Sequence, residues 1–243
     1  MHNWLEPKYL AWLEHGFFIT LMLSACAASC ATPLGFLLAV ARTARNGAIA
    51  RAAALYVFVF RNSPLLVQLL FWYFGAAVVM SSSWMEWFNT PHVATFGPVT
   101  LHWPSFELFA GWVGLTCYTT AFIGEEFLAG LRGVRAAQWH AAEALGMSRY
   151  ATLRHVILPQ ALRIATPSLA GQYMNVIKNS SLTMAIGVGE LSYMSRQVDT
   201  ESFRTFEAFG TATLFYVLAI AVIEVLLVLR QRTGPRALQR GRA

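Results

Sequence analysis

Charge is what this sequence is short of. Charged residues fill 12% of its 243 positions, about half of the roughly 25% that keeps an ordinary soluble domain hydrated. Hydrophobic residues fill 56%, and the mean hydropathy is +0.49. Lysine is nearly missing: Lys8 and Lys178 are the whole complement. Neither follows the glycine that a Walker A phosphate loop requires, which excludes ATP hydrolysis by that route and leaves no cofactor to expect in this chain. Cysteine is equally scarce. Cys26, Cys30 and Cys117 all fall inside apolar runs, where they read as small hydrophobes, not as a disulfide framework or a metal site. There is no His-Glu-x-x-His pair and no Ser/His dyad within those runs, which argues against an intramembrane hydrolase. His2, His15, His92 and His102 are scattered outside them. Solenoid repeats and low-complexity tracts are absent too.

What is present is long apolar stretches. The run 16–41 carries no charge, and 52–80 is interrupted only by Arg61. The runs 108–131, 164–189 and 208–229 are interrupted by Glu125 with Glu126, by Lys178, and by Glu224. Each is long enough for a bilayer crossing, which takes about 20 residues. None shows the alternation of a barrel strand, and backbone groups in lipid must bond internally, so the crossings must be helices. The expectation is an all-α membrane protein with five transmembrane helices.

The scarce cations set its orientation. Arg42, Arg45 and Arg51 follow the first run, five arginines lie between positions 132 and 163, and five more between 230 and 242. The opposite side has Lys8, Arg196 and Arg204, and the 81–104 loop has no cation. The positive-inside rule then places the N-terminus in the periplasm and the C-terminus in the cytoplasm. The net charge of +6 reads as topology and lipid headgroup contact. It does not indicate nucleic acid as a partner. The first fifteen residues carry Glu6, Lys8 and Glu14, which does not fit the basic start of a cleavable signal peptide.

Ionisable residues inside a bilayer are costly and mark functional candidates. Arg61 lies roughly 15 Å past Arg51 along a helix, near the middle of the membrane. Pro64 follows and should break or kink that helix, freeing backbone groups around Asn62 and Ser63. Lys178 lies roughly 22 Å past Arg163 and is followed by Asn179, Ser180 and Ser181. Broken helices near the midplane are a recurrent transporter device. Arg61, Asn62, Lys178, Asn179, Ser180 and Ser181 are therefore the candidate substrate-binding residues, with a carboxylate as the natural ligand of the two cations. The alternative is that either cation pairs with a buried acid, Glu125 or Glu224, to hold the bundle together. Glu125 and Glu126 lie close to the cytoplasmic end of their helix, where pairing with nearby arginines or snorkelling is expected. Trp72, Tyr73, Trp84, Trp87 and Trp103 fit an outer aromatic belt.

Between the third and fourth runs lies a polar, basic loop, about 132–162. Gln138 to Leu145 is rich in helix formers, with Ala141, Ala142 and Ala144 offering a close-approach surface. Gly146 permits a sharp turn, Ser148 can cap a second helix, and that helix should run from Arg149 towards Leu158 and stop before Pro159. Leu153, Val156 and Ile157 share one side of it, leaving Arg149, Arg154 and His155 to the other. By spacing alone this is equally an interfacial amphipathic hairpin.

The loop resembles the coupling loop, or EAA loop, of the inner-membrane subunits of binding-protein-dependent ABC importers. That pattern is Glu-Ala-Ala, three residues, Gly, then a spacer of nine or so to Ile-x-Leu-Pro. Ala141, Ala142, Gly146, Leu158 and Pro159 match it, with Val156 in the Ile place. His140 stands where the first Glu is usual, and Glu143 can supply an acid instead. Phe60–Gln68, Ala121–Glu125 and Met174–Leu182 resemble the span signatures of the polar amino-acid branch, with Leu128 at a place where Arg is common. Asn179 stands where some relatives that carry basic amino acids have Asp. The likeness covers nearly the whole chain and is nearest to the glutamate/aspartate permeases. It implies a transmembrane permease subunit, not an enzyme. The partners it implies are ABC ATPase subunits, a periplasmic solute-binding protein and a second permease subunit, identical or homologous. The ATPase contacts would be His140, Ala141, Ala142, Glu143, Gly146, Leu158 and Pro159. The expected layout is a periplasmic segment 1–15, a transmembrane domain 16–230, and a basic cytoplasmic tail 231–243, in the bacterial inner membrane. A gradient-driven secondary transporter or channel, which would need no ATPase, and a membrane scaffold are the rival readings.

Overall fold

The computed structural model describes residues 4–44, 46–90, 93–96, 99–102 and 104–233. Helix α1 (Pro7–Arg42) is followed by α2 (Gly47–Asn62), α3 (Leu65–Leu70), a π turn at Phe71–Gly75, α4 (Ala76–Val79) and α5 (Ser82–Asn89). A two-stranded hairpin, β1 (Val93–Phe96) with β2 (Val99–His102), leads to α6 (Phe106–Gly133). Then come α7 (Ala136–Ala144), α8 (Arg149–Thr152), a π turn at Leu153–Ile157, α9 (Leu158–Ser180), a 3₁₀ turn at Ser181–Ile186, α10 (Leu191–Ser202) and α11 (Thr205–Thr233).

The helical architecture expected from the apolar runs is present. The hairpin is an addition that an all-α reading does not contain. It pairs antiparallel, Val93 opposite His102 and Phe96 opposite Val99, in β-branched and aromatic sequence that favours strands. By length and composition, three or four of the five expected crossings stand out among the described residues. Among the described residues, α1, α6 and α11 are long and apolar enough to cross a membrane, and α2 with α3 makes a fourth if that bent pair is one span. The pair bends by 106°. The cause is local: Pro64 has no N–H to continue the ladder and forces Ser63 into extended backbone. Helix α9 has the length at 23 residues but is too polar to meet the same test. It packs along α6 nonetheless.

Helices α1 and α6 form the central pair, and α9 packs on α6. Small residues let the backbones approach, as at membrane helix interfaces generally. A Cβ on Gly35 of α1 would lie 2.6 Å from Ile123 Cγ2, and one on Gly130 of α6 would lie 2.6 Å from the Ala161 carbonyl oxygen of α9. The buried cluster Ala31, Ala39, Ile123, Phe127, Leu128, Ala165 and Leu169 fills the space between these three helices. Leu128, at a place where relatives often have Arg, is a core residue, 1% exposed. Helix α1 starts at Pro7, well ahead of the apolar run, and Leu5, Tyr9 and Leu13 pack against Leu191, Val198 and Ala208. Helix α11 is the opposite case. Little of its apolar length is buried, and Leu214, Val217, Leu218, Val222, Val225 and Leu226 all face outward. A contiguous apolar face of this kind is stable against lipid, not water.

Candidate functional site

Two places carry the functional candidates: the segment between α6 and α9, and a charged cavity between α1, α2 and α6.

In the first, α7 ends in a Schellman motif. Met147 N–H donates to the Ala142 carbonyl at 3.0 Å and Gly146 N–H to the Glu143 carbonyl at 2.9 Å, with Gly146 at φ +73°. This is the left-handed position that glycine occupies without strain. Ser148 then caps α8, its Oγ accepting from Ala151 N–H at 3.3 Å. The turn and the cap are those the sequence indicated. The end of the second helix is not. Expected to stop before Pro159, it continues unbroken from Arg149 to Ser180 through the π turn at Leu153–Ile157. A π turn takes up one extra residue and shifts the hydrogen-bond register, so the proline sits in the first turn of α9, where its missing N–H is tolerated.

Helix α7 folds back on α8 and the π turn. Trp139, Leu153 and Val156 pack around the buried trio Val134, Ile157 and Ala161. Gln160 Nε2 donates to the Val156 carbonyl at 2.8 Å and reaches Gln138 Oε1 at 3.4 Å, tying α7 to α9. Ala142 is buried, Leu158 is half-buried, and His140, Ala141, Glu143, Gly146 and Pro159 are exposed. Leu145 is 81% and Tyr150 68% exposed, so the elbow presents an apolar tip flanked by Glu143, Arg149 and Arg154. It is a braced knob with its back anchored to the bundle.

In the second place, Glu125 of α6 is shared by two arginines. One carboxylate oxygen pairs with Arg42, the last residue of α1, and the other with Arg61 Nη1 at 3.2 Å. Of the two acids the sequence offered as partners for Arg61, Glu125 is the one it pairs with; Glu224 is exposed on α11. Arg61 also stands over the Phe122 ring, 5.3 Å from its centroid, a cation–π contact. These groups line a cavity of about 560 Å³ with Asn62, Val57 and Phe58. Two guanidinium groups face a single carboxylate, so the cavity carries one uncompensated positive charge. The Arg61 side chain remains 42% exposed, against 29% for Glu125.

Side chains bridge the break beside it. Gln68, buried on α3, donates from Nε2 to the Phe60 carbonyl at 3.0 Å, the Ser63 carbonyl at 3.1 Å and Ser63 Oγ at 2.8 Å. Asn62 Nδ2 donates to the Phe58 carbonyl at 2.6 Å. The Phe60 carbonyl, freed because Pro64 has no N–H, is thus met by the Gln68 side chain.

Lys178, Asn179, Ser180 and Ser181 sit at the C-terminal end of α9, and none lines this cavity. Lys178 is exposed and Asn179 half-buried. Ser180 is fully buried, its hydroxyl donating to the Ile177 carbonyl at 2.8 Å, and Ser181 donates to the Lys178 carbonyl at 2.7 Å. The structure does not bring the two candidate groups together in this cavity.

Three residues with clear roles were not singled out by the sequence. Arg42 read only as a topology marker, and Gln68 as the end of a motif. Glu190 was passed over entirely. It is fully buried and accepts from Ser192 N–H at 3.0 Å, Tyr193 N–H at 2.8 Å and Tyr216 O–H at 2.8 Å, with Thr20 Oγ1 at 3.4 Å. It caps α10 and joins α1, α10 and α11. The available signal was an acid standing alone between the Gly187-Val-Gly189 turn and the next helix.

Comparison with known proteins identifies a family. The profile of the binding-protein-dependent transport system inner membrane component family matches residues 31–233. The glutamate/aspartate import permease protein GltJ of Escherichia coli K12 is 30% identical, over 93% of this chain and 89% of its own. The probable glutamine ABC transporter permease protein GlnM of Bacillus subtilis 168 is 32% identical, over 83% of each. Among solved structures, an amino acid ABC transporter crystallised with histidines superposes with a TM-score of 0.75 at 26% identity, covering 93% of this chain and 95% of that one. With its apolar helices and its long match to amino-acid ABC permeases, this chain is an integral membrane protein belonging to the binding-protein-dependent transport system inner membrane component family.

Proposed function

We propose that this chain is a permease subunit of a bacterial inner-membrane ABC importer for polar amino acids, glutamate and aspartate foremost. It works with a second permease subunit, ATPase subunits and a periplasmic solute-binding protein. The observation that carries the substrate reading is the cavity of Arg42, Arg61 and Glu125, whose one excess positive charge suits a solute of net negative charge. The relative GltJ, by its name a glutamate/aspartate permease, supports the same choice. Arg61 and Asn62 meet a substrate carboxylate at the break in the second span. Lys178 and Asn179 offer a second polar surface on α9, with Ser181 beside them.

In this mechanism the α7–α8 elbow sits in a cleft of the ATPase. ATP-driven closure of the ATPase pair moves two such elbows together, and the bundle turns from inward- to outward-facing. Nucleotide and loaded binding protein bias the same two-state equilibrium. A gradient-driven transporter would have no use for the elbow. The test is uptake of radiolabelled L-glutamate into proteoliposomes that hold the full complex. Uptake should require ATP and the binding protein, and Arg61→Ala should lower it about tenfold or more per assembled complex, the loss expected for one charge-assisted contact. Uptake driven by an ion gradient without ATP would refute the reading.

A further inference from the structure

Glu125 and the substrate carboxylate make the same demand on Arg61. A guanidinium offers five N–H donors in a planar fork, and Glu125 engages Arg61 through Nη1 at 3.2 Å. The Arg61 side chain as a whole is 42% exposed and lines a cavity of about 560 Å³, within the size range of small-ligand sites. Phe122 lies under the guanidinium, 5.3 Å from ring centroid to Cζ. Glu125 holds its other oxygen on Arg42, so it has a second cation to fall back on if Arg61 is taken. The carboxylate is therefore poised to leave Arg61 while keeping a cationic partner in Arg42, and at 29% exposure it is not desolvated enough for the exchange to carry the cost of breaking a buried ion pair.

We propose that Glu125 is a tethered competitor, a built-in carboxylate that occupies Arg61 in the empty bundle and yields it to the carboxylate of an incoming amino acid by withdrawing to Arg42. This deepens the proposed function and rests on its assignment of Arg61 as a substrate-binding residue. Glu125 then sets affinity downward. It neutralises Arg61 while the site is empty, and it charges each solute the free energy of displacing it. A neutral or cationic group gains nothing from that displacement, so the competitor filters for anionic groups.

The competitor role predicts a sign that a merely structural ion pair does not. Binding of L-glutamate, and of L-glutamine as a neutral-side-chain control, is measured by scintillation proximity on the purified permease–ATPase complex without binding protein. Removing the competitor with Glu125→Gln should tighten L-glutamate binding by roughly tenfold, the size of one charge-assisted hydrogen bond. Removing its fallback with Arg42→Gln should weaken binding by a similar factor, because Glu125 then turns wholly to Arg61. In the double variant the Arg42→Gln effect should largely vanish, since Arg42 acts through Glu125. Unchanged or weaker binding in Glu125→Gln overturns the proposal. If Glu125→Gln does not assemble by size-exclusion chromatography, Arg42→Gln decides, and unchanged binding there overturns it. If the wild-type complex binds L-glutamine and not L-glutamate, the acidic-substrate reading fails by itself, and the effect of Glu125→Gln on L-glutamine binding decides the competitor. Absence of both probes from wild type and Glu125→Gln alike overturns it as well.

Discussion

Gly146 shows how much one residue can fix. Its φ of +73° and the two hydrogen bonds that close the α7 terminus set the direction of the exposed elbow. A Cβ there would meet nothing within 4 Å, so alanine is penalised only by the left-handed backbone, about 1–2 kcal/mol. Proline removes the N–H that bonds Glu143 and cannot adopt the angle. The expected outcome is graded. Gly146→Ala keeps most coupled transport, while Gly146→Pro hydrolyses ATP with uptake lost and the subunit still assembled. The ratio of phosphate released to glutamate taken up checks this, and normal coupling in the proline variant would count against a docking role for the elbow. Gly146 and Ser148 were legible in the sequence because turn and cap chemistry is local. Glu125 on Arg42 and Arg61 was legible only as an option, because which acid meets which arginine depends on how α1, α2 and α6 cross.

At the scale of elements, the crossing of α6 and α9 carries the connection between elbow and cavity. Glu125 lies eight residues before Gly133, about 12 Å along α6 at ~1.5 Å per residue, and α9 runs on from the elbow without a break. At Gly130 these helices come close enough that a would-be Cβ would lie 2.6 Å from the Ala161 carbonyl. Because the neighbour is backbone, it cannot rotate away. Gly130→Val should force the helices apart and lower the melting temperature of the detergent-solubilised complex, with a cost of about 1–3 kcal/mol. An unchanged melting temperature would mean the crossing is looser than the structure shows. The long helices were readable from apolar runs, since lipid demands length and hydrophobicity. The 106° bend was readable only as a break, because Pro64 announces a break but not its angle. The continuous passage through Pro159 was misjudged, since a π turn leaves no sequence mark comparable to a proline. The hairpin at Val93–His102 was hidden in a loop whose eight strand residues are too few to register as strands.

The whole molecule joins three physical demands. Helix α11 leaves a contiguous apolar face exposed, one suited to an apolar surrounding and not to water. The cavity between α1, α2 and α6 keeps one positive charge in excess. A rigid elbow hangs from the same α6 and α9 that frame the core. On this account the elbow is driven by a separate ATPase, and that is the claim on which the others depend. It is tested most directly by placing a cysteine at Ala141, exposed on α7, in a background where Cys26, Cys30 and Cys117 are replaced by serine or alanine. A short thiol-to-amine crosslinker is then applied to the native membrane, and the captured partner is identified by mass spectrometry. The account expects the ATPase subunit, with a yield that changes when ATP is added. Capture of no ATPase under any nucleotide condition, in membranes that still import the substrate, would contradict it.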